Sequence, residues 1–239
     1  MKIFARSLWR LLPQPVRHGL TAATMRSYLR SMAMFDNHMD RKYGVDTSAI
    51  HEVNDAKRRQ TVGGDPAKTK SYYYSNLLAL RRYLAPTGDD VVMDLGCGTG
   101  RVLFVFANSG ARRVRGADFY KGAYEACKSN IARFRGDRGK IVVEQADCAR
   151  LEFKDETIFY LFNPFGAATL KAVLENIHRS WRENPRRIRI VFFETEDRTL
   201  LDNAEWLTLK RDMGRLKRGL LVYETQDNVR EVQARDDHS

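Results

Sequence analysis

The chain has 239 residues, 43% of them hydrophobic, and a formal net charge of +11. That length and apolar content suit one substantial domain with a real core, and no apolar run reaches the roughly 20 residues of a membrane-spanning helix. Cys97, Cys127 and Cys148 form no CxxC pair and no cluster with histidine, which argues against a disulfide framework or a metal site and suits a reducing compartment.

The charge is unevenly placed. Residues 1–35 hold Lys2, Arg6, Arg10, Arg17, Arg26 and Arg30 and no acid. Ile3, Phe4, Leu8, Trp9, Leu11 and Leu12 fall roughly on one helical stripe that Pro13 and Pro15 stop. Such a leader fits an anionic partner, a membrane surface or a nucleic acid, or else it packs on the domain behind it. A second helix is expected within 16–40 and irregular chain over 44–65. Asp65-Pro66 reads as a helix start, with Asp as N-cap and Pro in the first turn. Tyr73, Leu77, Leu80 and Leu84 follow at helical spacing, and Pro86 and Gly88 close that helix. One of Tyr72, Tyr73 and Tyr74 is expected at a pocket rim; the alternative has Tyr73 in the core and the others at the surface.

From residue 90 strands and helices alternate. Strands are expected at about 90–95, 113–117, 141–144, 158–162 and 188–193. Helices are expected at about 100–109, around Ala123 to Phe134, and around Leu170 to Trp181. Segments 206–212 and 219–225 read as a closing hairpin. This order implies α/β architecture, a parallel sheet with helices on both faces. The division is a basic, partly helical extension at 1–64, a domain at 65–225 and a polar tail at 226–239.

Ligands of such sheets sit beyond the C-terminal ends of the strands. The first strand runs into Asp94, then Gly96, Cys97, Gly98 and Gly100, and a helix follows. Glycines let the backbone approach a ligand closely, and a helix start offers N–H groups. A dinucleotide fingerprint, G-x-G-x-x-G, would place its third glycine at position 101, which is Arg101. Asp118 follows the second strand, placed as the acid that accepts both ribose hydroxyls of a nucleotide. Asp147-Cys148 follows the third strand and Asn163-Pro164-Phe165 the fourth.

The pattern Asp94-x-Gly96-x-Gly98-x-Gly100 resembles motif I of class I methyltransferases that use S-adenosylmethionine (SAM). The resemblance covers roughly residues 43–225. It implies a Rossmann-like, mostly parallel seven-stranded sheet with a C-terminal antiparallel hairpin. It also implies that Asp94 holds the methionine end of SAM while Gly96, Gly98 and Gly100 allow close approach, with Cys97 beside them. Asp118 would then bind the ribose, Phe119 would lie against adenine, and Asp147 with the Cys148 backbone would take the adenine amino group. Tyr160 to Gly166 corresponds to motif IV and is similar to the Asn-Pro-Pro-Tyr of amino-group methyltransferases. There the asparagine orients the target nitrogen, which makes Asn163, Pro164 and Phe165 the candidate catalytic residues, although Phe165 and Gly166 depart from that pattern. Asn-Pro-Phe together with Tyr43-Gly44-Val45-Asp46-Thr47 resembles a loosely characterised bacterial group, some of whose members resemble histone-lysine methyltransferases without a SET domain.

The expected activity is SAM-dependent methylation of a nitrogen on a protein amine or a small molecule. No histidine falls at a strand end, and a hydroxyl acceptor would want a general base. The rival readings are an RNA or DNA methyltransferase using the basic clusters at Arg112-Arg113, Arg133 to Lys140, Arg186 to Arg189 and Lys210 to Arg218, and a non-catalytic binding module of the same fold. No metal is expected, the oligomeric state is left open, and the expected location is the cytoplasm, peripheral at a membrane if the leader binds one.

Overall fold

The computed structural model describes residues 22–48, 72–162, 166–193, 198–212 and 220–226. Helix α1 (Ala22–Tyr43) sets Phe35, Met39 and Tyr43 along one stripe, which packs inward, while Tyr28 and Met34 face solvent. Gly44, at φ +74°, closes it, and the Val45 N–H bonds to the Asp40 carbonyl at 3.0 Å.

Helix α2 (Tyr74–Leu84) buries Tyr74, Leu77, Leu80 and Leu84. Burial of a leucine contributes about 1.5–3 kcal/mol relative to exposure. The expected start at Asp65-Pro66 lies outside the described residues; Tyr72 and Tyr73 are not helical, so the described helix begins at Tyr74. Its N-terminal cap is long-range, because the Tyr74 N–H donates to Asp36 Oδ1 of α1 at 3.0 Å. Ala85, left-handed at φ 42°, ends it just before Pro86.

The remaining elements are β1 (Val91–Leu95), α3 (Arg101–Ala107), β2 (Arg113–Asp118), α4 (Lys121–Arg133), β3 (Ile141–Gln145), β4 (Ile158–Phe162), α5 (Ala167–Glu183), β5 (Arg189–Phe193), α6 (Thr199–Asp202), β6 (Leu207–Asp212) and β7 (Leu220–Thr225). Strands β1, β2, β3, β4 and β5 came where the pattern put them, within a residue or two. The seven strands run in the order β3-β2-β1-β4-β5-β7-β6, with β7 antiparallel to both of its neighbours and the other pairs parallel. The chain therefore has the expected Rossmann-like sheet and closing hairpin.

Each sheet face has its own core. Helices α1, α2, α3 and α4 cover Val92, Val114, Tyr160, Val191 and Val222. Helix α5, through Leu170, Val173, Leu174, Ile177 and Trp181, covers Met93, Leu95, Phe159, Leu161 and Ile190. Central β1 is buried throughout, which is why it reads as an unbroken apolar run. The edge strand β6 is largely exposed and irregular between Leu209 and Arg211, a device that discourages pairing with another chain.

Candidate active site

The C-terminal end of β1 passes into a tight glycine loop. Gly96, Gly98 and Gly100 have φ of +81°, +53° and +93°, where side chains are strained. A Cβ on Gly100 would also lie 2.7 Å from the Cys127 sulfur. Most of the loop's N–H groups are engaged. Gly96 and Cys97 donate to the Ala117 carbonyl at 2.9 Å, and Gly98 donates to Asp118 Oδ2 at 2.9 Å. Asp118 Oδ1 accepts from the Tyr120 N–H at 2.9 Å. These two bonds hold both carboxylate oxygens of Asp118 against the glycine loop and the start of the next helix.

Asp94 and Asp118 sit close enough to influence one another. Burial, reinforced by the Asp118 charge, pushes the Asp94 carboxyl well above the usual carboxylate range. No described residue donates a hydrogen bond to Asp94. Beside it in register on β4 is Tyr160, whose buried hydroxyl also lacks a hydrogen-bond partner among the described residues. The edge thus combines a side-chain-free cradle with unmatched buried polar groups, which suits a ligand carrying an amino-acid end.

The other sequence-nominated residues take the following places. Asp147 lies beyond β3 and caps a short 3-10 turn, Cys148–Arg150, through the Ala149 N–H at 3.0 Å. Phe119 is half-buried and packs edge-on against Tyr120. Cys97 and Cys148 are buried; a contact with Cys127 and burial raise the Cys97 thiol, and burial raises Cys148, so neither is a ready nucleophile. Asn163, Pro164 and Phe165 lie outside the described residues, between β4 and α5. Of the three tyrosines, Tyr74 is the core residue. Tyr72 packs on Phe162 and Phe193, with ring centroids 5.2 Å away in each case, where β4 and β5 end. The reading of Tyr73 as the core residue is therefore corrected, because the helix starts one residue later than its spacing suggested.

A second set of residues, unforeseen in the pattern, locks the N-terminal segment onto this loop. Arg101, just after Gly100, pairs with Asp36 at 2.7 Å and donates through Nε to Thr47 Oγ1 at 2.7 Å and through Nη1 to the Tyr72 carbonyl at 3.2 Å. Its guanidinium lies 4.7 Å from the Tyr74 ring centroid. Asp40 accepts from the Thr47 and Tyr74 hydroxyls at 2.8 and 2.7 Å. Asn130 bridges the carbonyls of Asp46 and Thr99 at 2.7 and 3.0 Å. One signal was available: Arg101 opens an otherwise apolar helix, where a cation opposes the helix dipole and needs a partner.

A cavity of about 810 Å³ lies elsewhere, at the N-terminal ends of β1, β4 and β5, lined by Asp90, Arg112, Asp155, Arg186 and Arg189 among others. Ligands of open α/β sheets bind at the opposite edge, so size does not make it the site. Among the described residues no group of three or more His, Cys, Asp or Glu is placed to hold a metal ion, and no helix is long and apolar enough to cross a membrane.

Residues 92–184 match a family described as methyltransferase domain. No curated protein matches the chain. Similar solved structures include a TehB-like SAM-dependent methyltransferase from Corynebacterium glutamicum, at 20% identity over 63% of this chain and 87% of that one, with a TM-score of 0.47. Magnesium protoporphyrin IX methyltransferase from Synechocystis, with bound SAM, is similar at 16% identity over 80% and 97%, with a TM-score of 0.49. An RNA methyltransferase from Salinibacter ruber, in complex with S-adenosylhomocysteine, is similar at 17% identity over 65% and 92%, with a TM-score of 0.43. Likenesses of that size say nothing of the acceptor. Strand order and glycine loop agree with the family match: the chain has a Rossmann-like sheet, and its residues 92–184 are similar to a methyltransferase domain.

Proposed function

We propose that the chain methylates a nitrogen, on a protein amine or a small molecule. Bound SAM supplies a methyl group on a sulfonium, open to in-line displacement. On this reading Asp94 holds the cofactor's amino-acid end and Asp118 its ribose. Asp147 and the Cys148 backbone take the adenine amino group, with Phe119 against the ring. Asn163 and Pro164 would orient the acceptor nitrogen beside Phe165.

The observation that carries the nitrogen reading is the chemistry of the cofactor edge. On this reading Asp94, whose burial-raised carboxyl could otherwise serve as a base, is taken up by the cofactor's amino-acid end. The Tyr160 hydroxyl and the Cys148 thiol are raised by burial, and the Cys97 thiol by its contact with Cys127 and by burial, so that all three stay protonated. His178 lies on α5, stacked on Trp206 on the other sheet face, and His38 is exposed on α1. A hydroxyl acceptor would want a general base here, whereas a neutral amine needs only alignment. Tyr72, Phe162 and Phe193 add an uncharged aromatic wall at the same edge.

Nucleic acid is the second reading, from the basic clusters. Much of that charge is already committed: Arg112 pairs with Asp155 at 2.8 Å, Arg187 with Glu224 at 2.8 Å and Arg189 with Asp90 at 2.7 Å. These pairs also line the opposite edge of the sheet. The test uses purified protein, methyl-labelled SAM and three acceptor pools: lysine-rich peptides with small amines, phenols, and RNA. Label on amine nitrogen is expected; label confined to phenols refutes the nitrogen reading, label confined to RNA refutes the protein-amine or small-molecule acceptor in favour of the second reading, and absence of S-adenosylhomocysteine binding favours the non-catalytic module.

A further inference from the structure

Tyr160 is buried at 2% exposure, yet its hydroxyl has no hydrogen-bond partner among the described residues. Buried polar groups are nearly always satisfied, and an exception calls for a cause. Packing does not supply one. The ring lies in a core of Val92, Val191 and Val222, where phenylalanine would fill nearly the same volume without an orphaned oxygen.

The surroundings suggest the cause. Tyr160 is the β4 partner of Asp94 in parallel register, so the two side chains rise from the same sheet face on adjacent strands. Asp94 is likewise buried and lacks a donor among the described residues. The charges that act on the Tyr160 hydroxyl, after burial itself, are those of Asp94, Tyr72 and Arg101. Arg101 follows the glycine loop directly and is fixed by Asp36 and Thr47. Tyr160 therefore shares a sheet face with the acid assigned to the amino-acid end of SAM, and its hydroxyl feels the charge of that acid and of the latch that closes the loop. An amino-acid end brings both an ammonium and a carboxylate, and a phenol can accept from the first or donate to the second.

We propose that Tyr160 is a cofactor-binding residue whose hydroxyl hydrogen-bonds the amino-acid end of SAM beside Asp94. The inference rests on the SAM reading of the site, and it makes the unpaired hydroxyl a feature kept for the ligand rather than for the fold. It also separates the cofactor into two halves, the adenosine end at Asp118 and Asp147 and the amino-acid end at Asp94 and Tyr160.

Isothermal calorimetry on the full chain tests it with two probes. S-adenosylhomocysteine carries the amino-acid end; 5′-methylthioadenosine keeps the adenosine and thioether but lacks it. Y160F is expected to weaken S-adenosylhomocysteine about tenfold, as for loss of one hydrogen bond to a charged group, and to leave methylthioadenosine unchanged. The ligand-free melting temperature of Y160F should equal or exceed that of the wild type, because an unpaired buried hydroxyl is removed. Unchanged S-adenosylhomocysteine affinity, or equal loss for both probes, overturns the role of Tyr160. Failure of the wild type to bind S-adenosylhomocysteine overturns instead the SAM reading on which it depends.

Discussion

The pair between Arg101 and Asp36 is the place where a single substitution should report most about this fold. The side chains are 7% and 11% exposed and meet at 2.7 Å. Burial raises the Asp36 carboxyl, and Arg101, with the Tyr74 N–H, recovers only part of that shift. Removing one partner of a buried pair costs about 3–5 kcal/mol, because the other charge is left buried. The two partners are not equivalent. Arg101 cannot shed its proton, whereas Asp36 can take one up.

Asp36→Asn should therefore cost about 3 kcal/mol, the low end of the range because the amide oxygen still accepts a bond; for a chain of this size that lowers the melting temperature by about 6–12 °C. Arg101→Met should cost less at acid pH, and its cost should grow as pH rises. The folded pKa of Asp36 is raised, and without Arg101 it rises further. The stability linked to its proton is then present below the unfolded pKa and lost as pH climbs through the folded one. The double variant D36L/R101M should recover most of the loss. Urea denaturation followed by tryptophan fluorescence, for both singles and the double at two pH values, measures this. Additive effects, with a coupling energy below about 0.5 kcal/mol, would refute the reasoning.

Four further outcomes are expected. Asp94 is raised by burial and by Asp118, so the stability linked to its proton is lost as pH rises through that raised pKa. A cationic ammonium restores it, so calorimetry should show S-adenosylhomocysteine affinity rising with pH as Asp94 ionises, and D94N should flatten the profile. Asp118→Ala should weaken S-adenosylhomocysteine at least tenfold, roughly the loss of one charge-assisted hydrogen bond. It should also lower the melting temperature by a few degrees, since the Gly98 and Tyr120 N–H groups lose their acceptor; unchanged affinity in a cooperatively melting variant removes the ribose assignment. Gly100→Ala, at φ +93° and 2.7 Å from Cys127 sulfur, should destabilise the domain by more than about 1 kcal/mol in the same urea assay. Deletion of residues 1–15 should abolish any sedimentation with anionic liposomes and spare S-adenosylhomocysteine binding; if the undeleted chain does not sediment with them, the membrane reading of the leader is removed.

What could be read from the pattern was local. The glycines at 96, 98 and 100 announce themselves because only glycine adopts their backbone without strain, and the strand runs stand out because β1, β4 and β5 are buried on both faces. What could not be read depends on residues distant in sequence. The α2 start is set by Asp36, 38 residues upstream, rather than by a neighbouring cap. Arg101 finds partners 54 and 65 residues away. Tyr160 looks like one more aromatic in a strand until the register sets it beside Asp94. Asp147 was nominated for adenine, and its carboxylate already caps the turn behind it, a dual use that spacing alone does not reveal.

The wiring of Arg101 bears on how donor and acceptor are brought together. Through Thr47 the guanidinium reaches the segment that contacts Thr99 in the cofactor loop, at 3.3 Å from the Thr99 hydroxyl to the Thr47 carbonyl. Through the Tyr72 carbonyl it holds the residue whose ring rests on Phe162 and Phe193. One buried side chain thus ties the loop assigned to the methyl donor to the aromatic wall at the same sheet edge. Methyl transfer demands that sulfur, methyl carbon and nucleophile stay in line, and for an amine acceptor, as proposed, that alignment is the main source of rate. On the proposed reading, the N-terminal segment from Asp36 to Thr47 is not an accessory to the methyltransferase domain. It sets the distance between the two halves of the reaction, and the ion pair with Asp36 keeps that distance fixed.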